Sequence, residues 1–144
     1  MADGDTTADD PQVALSGELA RSPADPFVMV SSATYPRIDP AEQAAFSPVV
    51  VTELLRERLG FEGVVISDDL GDARAVRDVP PGERAVRFLA AGGTLVLTVD
   101  AELVPGMVAA VLARDAADPA FAAIVDDAVR TALLAKDGAG LVPR

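Results

Sequence analysis

Histidine and cysteine are both absent from the 144 residues, and each absence removes a class of chemistry. Without cysteine there is no disulfide framework, no thiolate metal site and no thiol redox centre. Without histidine the commonest general base, the usual partner of a nucleophilic serine or cysteine, and the commonest metal ligand are missing. Chemistry within this chain therefore runs on carboxylates, amines, hydroxyls or a supplied cofactor. Positive charge is also scarce: 12 basic residues face 23 acidic ones, for a net charge of −11. No Lys/Arg cluster offers a phosphate backbone anything to bind, which excludes nucleic acid as a partner. No apolar run approaches membrane-spanning length. The acidic opening "MADGDTTADD" has no apolar signal core, so no targeting segment is legible.

Half the residues are hydrophobic, enough for the packed core of one ordinary domain. Residues 1–25 hold six acidic residues and one arginine with little periodicity, and read as a mobile, disordered acidic arm. From Pro26 to the C-terminus the texture changes. "PFVMVSSA", "GVVISDDL" and "GTLVLTVD" are short apolar runs rich in Val and Ile, without the alternation of a half-exposed strand; they predict parallel strands buried on both faces. Helical patterns lie between and after them. In "SPVVVTELLRERLG", Ser47 caps, Pro48 opens and Gly60 closes a helix with Val51, Leu55 and Leu59 inward and Glu53, Arg56 and Glu57 outward. "PPGERAVRFLAAGG" gives a second helix stopped by Gly92 and Gly93. "LVPGMVAAVLARD" gives a third, with Val104, Val108, Val111 and Leu112 inward. "DPAFAAIVDDAVRTALLAKDG" gives a fourth, capped by Asp118, with Phe121, Ile124, Val125, Ala128 and Leu133 on one stripe. Strands alternating with helices predict an α/β fold with right-handed crossovers.

In such folds the functional edge lies at the carboxyl ends of the strands. Each predicted strand exits there into polar residues: Ser31 and Ser32, then Ser67, Asp68 and Asp69, then Thr98 and Asp100. Asp100 reads as a helix cap. Asp68 does not, because Gly71 and Asp72 separate it from the next helix. Neighbouring strand residues face opposite sides, so Asp68 and Asp69 divide the work: one faces a ligand and the other holds the loop. A receiver-like domain, whose clustered aspartates hold magnesium, also ends a strand in acid. This chain lacks that fold's acidic pair after the first strand and its late lysine.

Taken together, "GFEGVVISDDL", "FVMVSSATYPRIDP", "AFSPVVVTELLRERLG" and "AVRFLAAGGTLVLTV" resemble, in order and spacing, glycoside hydrolase family 3, particularly the bacterial exo-β-N-acetylglucosaminidase branch. The resemblance implies a (β/α)₈ TIM barrel, of which this chain supplies the last three strand-helix units, and a retaining hydrolase of terminal β-N-acetylhexosaminides. It makes Asp68, directly after the serine of the strand-seven motif, the nucleophile that forms a glycosyl-enzyme ester. That carboxylate works ionised, with Ser67 and the following loop as its expected supports. Ser32, Tyr35, Ser67 and Asp69 become the substrate-binding candidates. No cofactor or metal is implied; the partner is a carbohydrate.

Two departures follow from the same comparison. Ser32 stands where relatives often carry histidine. The Lys-His-Phe-Pro-Gly-His-Gly type of motif that goes with the family's acid/base is absent, as are the first five strands, since a barrel takes roughly 200 residues or more. The chain thus reads as a fragment or shortened form, inactive or nearly so alone, its open strand edges covered by a second copy or a complementing N-terminal half. A noncatalytic sugar- or protein-binding module is the alternative. The closing "LVPR" matches the left side of a thrombin cleavage sequence, and the compartment, envelope or cytoplasm, stays open.

Overall fold

The computed structural model describes residues 2–20 and 22–142; Arg21 and the last two residues of "LVPR" lie outside them. Its order is α1 (Pro11–Ala20), β1 (Val28–Val30), a π-helix (Val49–Arg58), β2 (Val65–Asp69), α2 (Pro81–Ala90), β3 (Leu95–Leu97), α3 (Val104–Ala117) and α4 (Pro119–Gly138), with short 3₁₀ turns between. The three strands form one parallel sheet in the order β1-β2-β3. The expected α/β alternation is therefore present, and each strand reaches the next through a helix.

The local signals act where the sequence placed them. Ser47 Oγ accepts from the amide of Val50 at 3.1 Å, and Gly60 leaves the π-helix with φ +69°. Asp118 accepts from the amides of Ala120 and Phe121, and Asp100 from that of Glu102. Gly92, with φ +101°, ends α2.

Four expectations change. The segment 11–20 is helical rather than unstructured: the Asp10 carboxylate accepts from the amide of Gln12 at 2.8 Å, Pro11 opens the helix, and Ala20 joins the core. Its inward residues are small, Gly17 lying close against Leu59, so no apolar period announced it. The sheet is covered on one face only. Val30, Val65 and Ser67 are buried, whereas Met29, on the other face, is 61% exposed and its neighbours Ile66 and Leu95 are half-buried. In the π-helix, wider turns bring residues five apart into line, so Arg56 follows Val51 inward instead of pointing out. Leu103 of the preceding 3₁₀ turn and Met107 and Val111 of α3 form the inward line, while Val104, Val108 and Leu112 are exposed; α4 likewise buries Phe121 and Ala128 but leaves Leu133 half open.

The main core gathers Val51, Val65, Leu70, Val76 and Phe88, each wholly buried. It joins β1, β2, the π-helix and α2 behind the sheet. A second cluster of Leu89, Phe121 and Ala128 holds α4 against α2. Among the described residues no helix is long and apolar enough to cross a membrane.

Candidate active site

β2 carries one residue more than β3 at its carboxyl end: Ile66 pairs with Leu95 and Asp69 with Leu97, a bulge over Ser67 and Asp68. A bulge re-aims side chains where a strand leaves its sheet. Here Ser67, wholly buried, turns to β3 and accepts the amide of Leu97 at 2.9 Å. Its hydroxyl is thus closed off from solvent and engaged with β3.

Asp68 is half-buried, and among the described residues each of its oxygens accepts one hydrogen bond. Ser32 Oγ donates to Oδ2 at 2.7 Å, and the amide of Asp69 donates to Oδ1 at 2.8 Å. The support expected from Ser67 thus comes from Ser32, across the sheet on the β1 exit. Asp69 has a different set of partners. Its carboxylate accepts from the amides of Gly71 at 2.9 Å, Asp72 at 3.1 Å and Val99 at 3.2 Å, tying the β2 exit to the β3 exit. Burial pushes this carboxyl up, but the N–H groups of Gly71, Val99 and Asp72, with the charge of Arg84, outweigh that and hold it below its ordinary value. Geometrically, Asp69 is the loop holder and Asp68 the carboxylate left with unused lone pairs.

Ser32 is itself held in place. The loop after β1 folds back on itself through Ala44 N–H to Ala33 O and Ala45 N–H to Ser31 O. At its far end the buried Asp39 accepts from Ser47 Oγ at 2.5 Å and from the amide of Ala41 at 2.9 Å. The Ser47 hydroxyl first, and the amides of Ala41 and Glu42, lower the Asp39 carboxyl against the opposing effect of burial. Tyr35 packs its ring on the core, and its carbonyl closes the turn to Ile38 and Asp39.

Ser32, Asp68 and Asp69 therefore gather at one rim, with Ser67 beneath them. A cavity of about 990 Å³ at the amino ends of the strands, lined by Phe27, Phe61, Glu62 and Lys136 among others, does not include Asp68. Two supporting residues escaped the sequence reading, Asp39 and Arg84. Arg84 left a signal: a cation four residues before Phe88, on the buried line of α2.

The model of the glycosyl hydrolase family 3 N terminal domain matches residues 22–132. The crystal structure of a β-N-acetylhexosaminidase from Beutenbergia cavernae DSM 12333 superposes on 94% of this chain with a TM-score of 0.90 and 44% identity, using 40% of that chain. The β-hexosaminidase of Stenotrophomonas maltophilia (strain K279a) is 40% identical over 87 residues, 60% of this chain and 26% of the relative. That of Bordetella pertussis is 56% identical over 45 residues, 31% of this chain and 12% of the relative. The chain spans less than half the length of each.

Proposed function

The chain belongs to glycosyl hydrolase family 3, and on that premise we propose that it is the nucleophile-bearing part of a retaining hydrolase of terminal β-N-acetylhexosaminides. Asp68 attacks the anomeric carbon; the glycosidic oxygen leaves, and water later cleaves the glycosyl ester. Ser32 orients the attacking carboxylate, Asp69 fixes the loop behind it, and Tyr35 borders the sugar site. Ser67 serves from beneath, by holding the bulge. The observation that carries this reading is the contrast between two adjacent carboxylates, one consumed by three backbone amides and the other held by one donor on each oxygen.

An acid/base of the histidine type is not in this chain, which has no histidine. General acid-base assistance is worth about a hundredfold to ten-thousandfold, so unactivated glycosides turn over close to background. The half-open face of Met29, Ile66 and Leu95 suits closure by further strands, from a complementing N-terminal half or a second copy.

A dinitrophenyl β-N-acetylglucosaminide tests this, because its leaving group departs without a proton. Without a base to speed the second step, one N-acetylhexosaminyl group accumulates on Asp68, seen by intact and peptide mass spectrometry and lost in Asp68→Asn. Labelling elsewhere, or labelling that survives Asp68→Asn, defeats the reading. Calorimetric binding of N-acetylglucosamine without any adduct supports the second reading, a noncatalytic sugar-binding module, which the lack of histidine favours.

A further inference from the structure

A buried cation stands behind the β2 exit with no direct ion pair among the described residues. Arg84, 5% exposed, donates Nη1 to the carbonyl oxygens of Leu70 and Gly71, both at 2.7 Å, and Nε to that of Val79 at 2.6 Å. The Leu70 carbonyl shares its peptide group with the N–H of Gly71, and the Gly71 carbonyl shares its peptide group with the N–H of Asp72. Those two N–H groups are the ones bound by Asp69, at Oδ1 and Oδ2 respectively. Two consecutive peptide groups are thus suspended between a cation and an anion, oxygens toward the guanidinium and hydrogens toward the carboxylate. Each contact polarises the amide and strengthens the one at its other end.

We propose that Arg84 is a positioning residue for Asp68, fixing that carboxylate through the two peptide groups it shares with Asp69. The Asp69 amide is the donor to Asp68 Oδ1, so whatever fixes Asp69 fixes one of the two supports of Asp68. The charge of Arg84 also joins the three backbone N–H groups in holding the Asp69 carboxyl below its ordinary value. Glycine at 71 keeps the bridge short: an added Cβ would lie 2.2 Å from Thr98 Oγ1 and 3.1 Å from Asp69 Oδ1. Other charged groups on the same two strand exits are Asp68, Asp72 with its partner Arg77 at 3.1 Å, and Asp100, next to Val99.

This inference rests on Asp68 being the reacting carboxylate, and two separate readouts distinguish its failure from failure of that assignment. Amide NMR of Gly71 and Asp72 through an acid titration, in the native chain, Arg84→Lys and Arg84→Met, follows Asp69 directly. The midpoint rises by about half a pH unit or more in Arg84→Met and largely returns in Arg84→Lys, which restores charge. Asp69 amide exchange, which follows the bond to Asp68 without any chemistry, speeds roughly tenfold in Arg84→Met. Label formation at Asp68 slows by a similar factor, about tenfold. Equal midpoints in all three proteins overturn the bridge; a shifted midpoint with unchanged Asp69 exchange overturns the positioning role. Should Arg84→Met fail to fold, Arg84→Gln, which removes the charge, and Asp69→Asn decide it: unchanged exchange at Gly71, Asp72 and Asp69 in both overturns the proposal. A native chain that takes no label defeats the nucleophile assignment alone.

Discussion

Ser32 and Asp68 come from strands 36 residues apart and meet through one hydroxyl, Oγ to Oδ2 at 2.7 Å. Removing that donor frees the carboxylate to rotate, and for the nucleophile proposed above loss of orientation is costly to a displacement. Ser32→Ala is expected to slow label formation at Asp68 by roughly tenfold to a hundredfold, with Ser32→Thr close to the native rate; time-resolved intact mass spectrometry reads both. The sequence singled out Asp68 because a strand ended in acid before any helix needed a cap. It could not divide the work between Ser32 and Ser67, since both sit at strand exits and both are serine. The bulge decided that, turning Ser67 under the sheet toward Leu97.

At the scale of elements, the π-helix determines more than its length suggests. Its wide turn brings Arg56 inward, where all five N–H groups find acceptors: the carbonyls of Phe61, Gly63 and Gly92 and the hydroxyl of Thr94, with Gly92 used twice. Burial lowers the guanidinium's proton affinity, and none of its N–H groups is left free to donate to a bound anion. Arg56 thereby clamps the segments leading into β2 and β3, at the end of the sheet opposite Asp68. Arg56→Leu leaves these carbonyls unpaired and is expected to cost about 3 kcal/mol in urea unfolding, while the label rate at Asp68 in the folded fraction stays unchanged. The periodicity of "VVVTELLRER" indicated a helix but assumed a 3.6-residue turn, and that assumption sent Arg56 outward.

At the scale of the molecule, Asp39 and Asp69 contribute to the acid limit, beside Asp3 and Asp118, whose carboxyls are lowered too. The Asp39 and Asp69 carboxyls lie below the ordinary 3.8 in the folded chain. A folded value below the unfolded one means full stabilisation above the unfolded value, about 3.9, and loss as pH falls through the lowered folded value. Urea midpoints should hold level from pH 7 to about 5 and fall steeply below about 4; a level midpoint down to about pH 2 contradicts it. A second prediction concerns surface: Phe27, Met29, Val99, Leu112 and Leu134 are at least half exposed, while the net charge of −11 keeps copies apart. Raising salt toward about 1 M shrinks the screening length to about 3 Å. Sedimentation velocity should then show larger species growing with salt and concentration; a monomer at every salt concentration counts against open apolar faces.

By itself the sequence determined the order of strands and helices from Pro26 onward, the caps at Ser47, Asp100 and Asp118, the stop at Gly92, and the strand end at which acid accumulates. These depend on residues close along the chain, where capping, glycine geometry and apolar runs act locally. Only the tertiary structure decided which serine serves Asp68, which arginine is buried, and which faces of β1 and α3 stay open. Each of those turns on a partner far away in sequence: Ser32 for Asp68, the Gly92 carbonyl for Arg56, the peptide groups beyond β2 for Arg84. A local pattern states that a face is apolar or a side chain polar, and what then lies against it is settled when the sheet assembles.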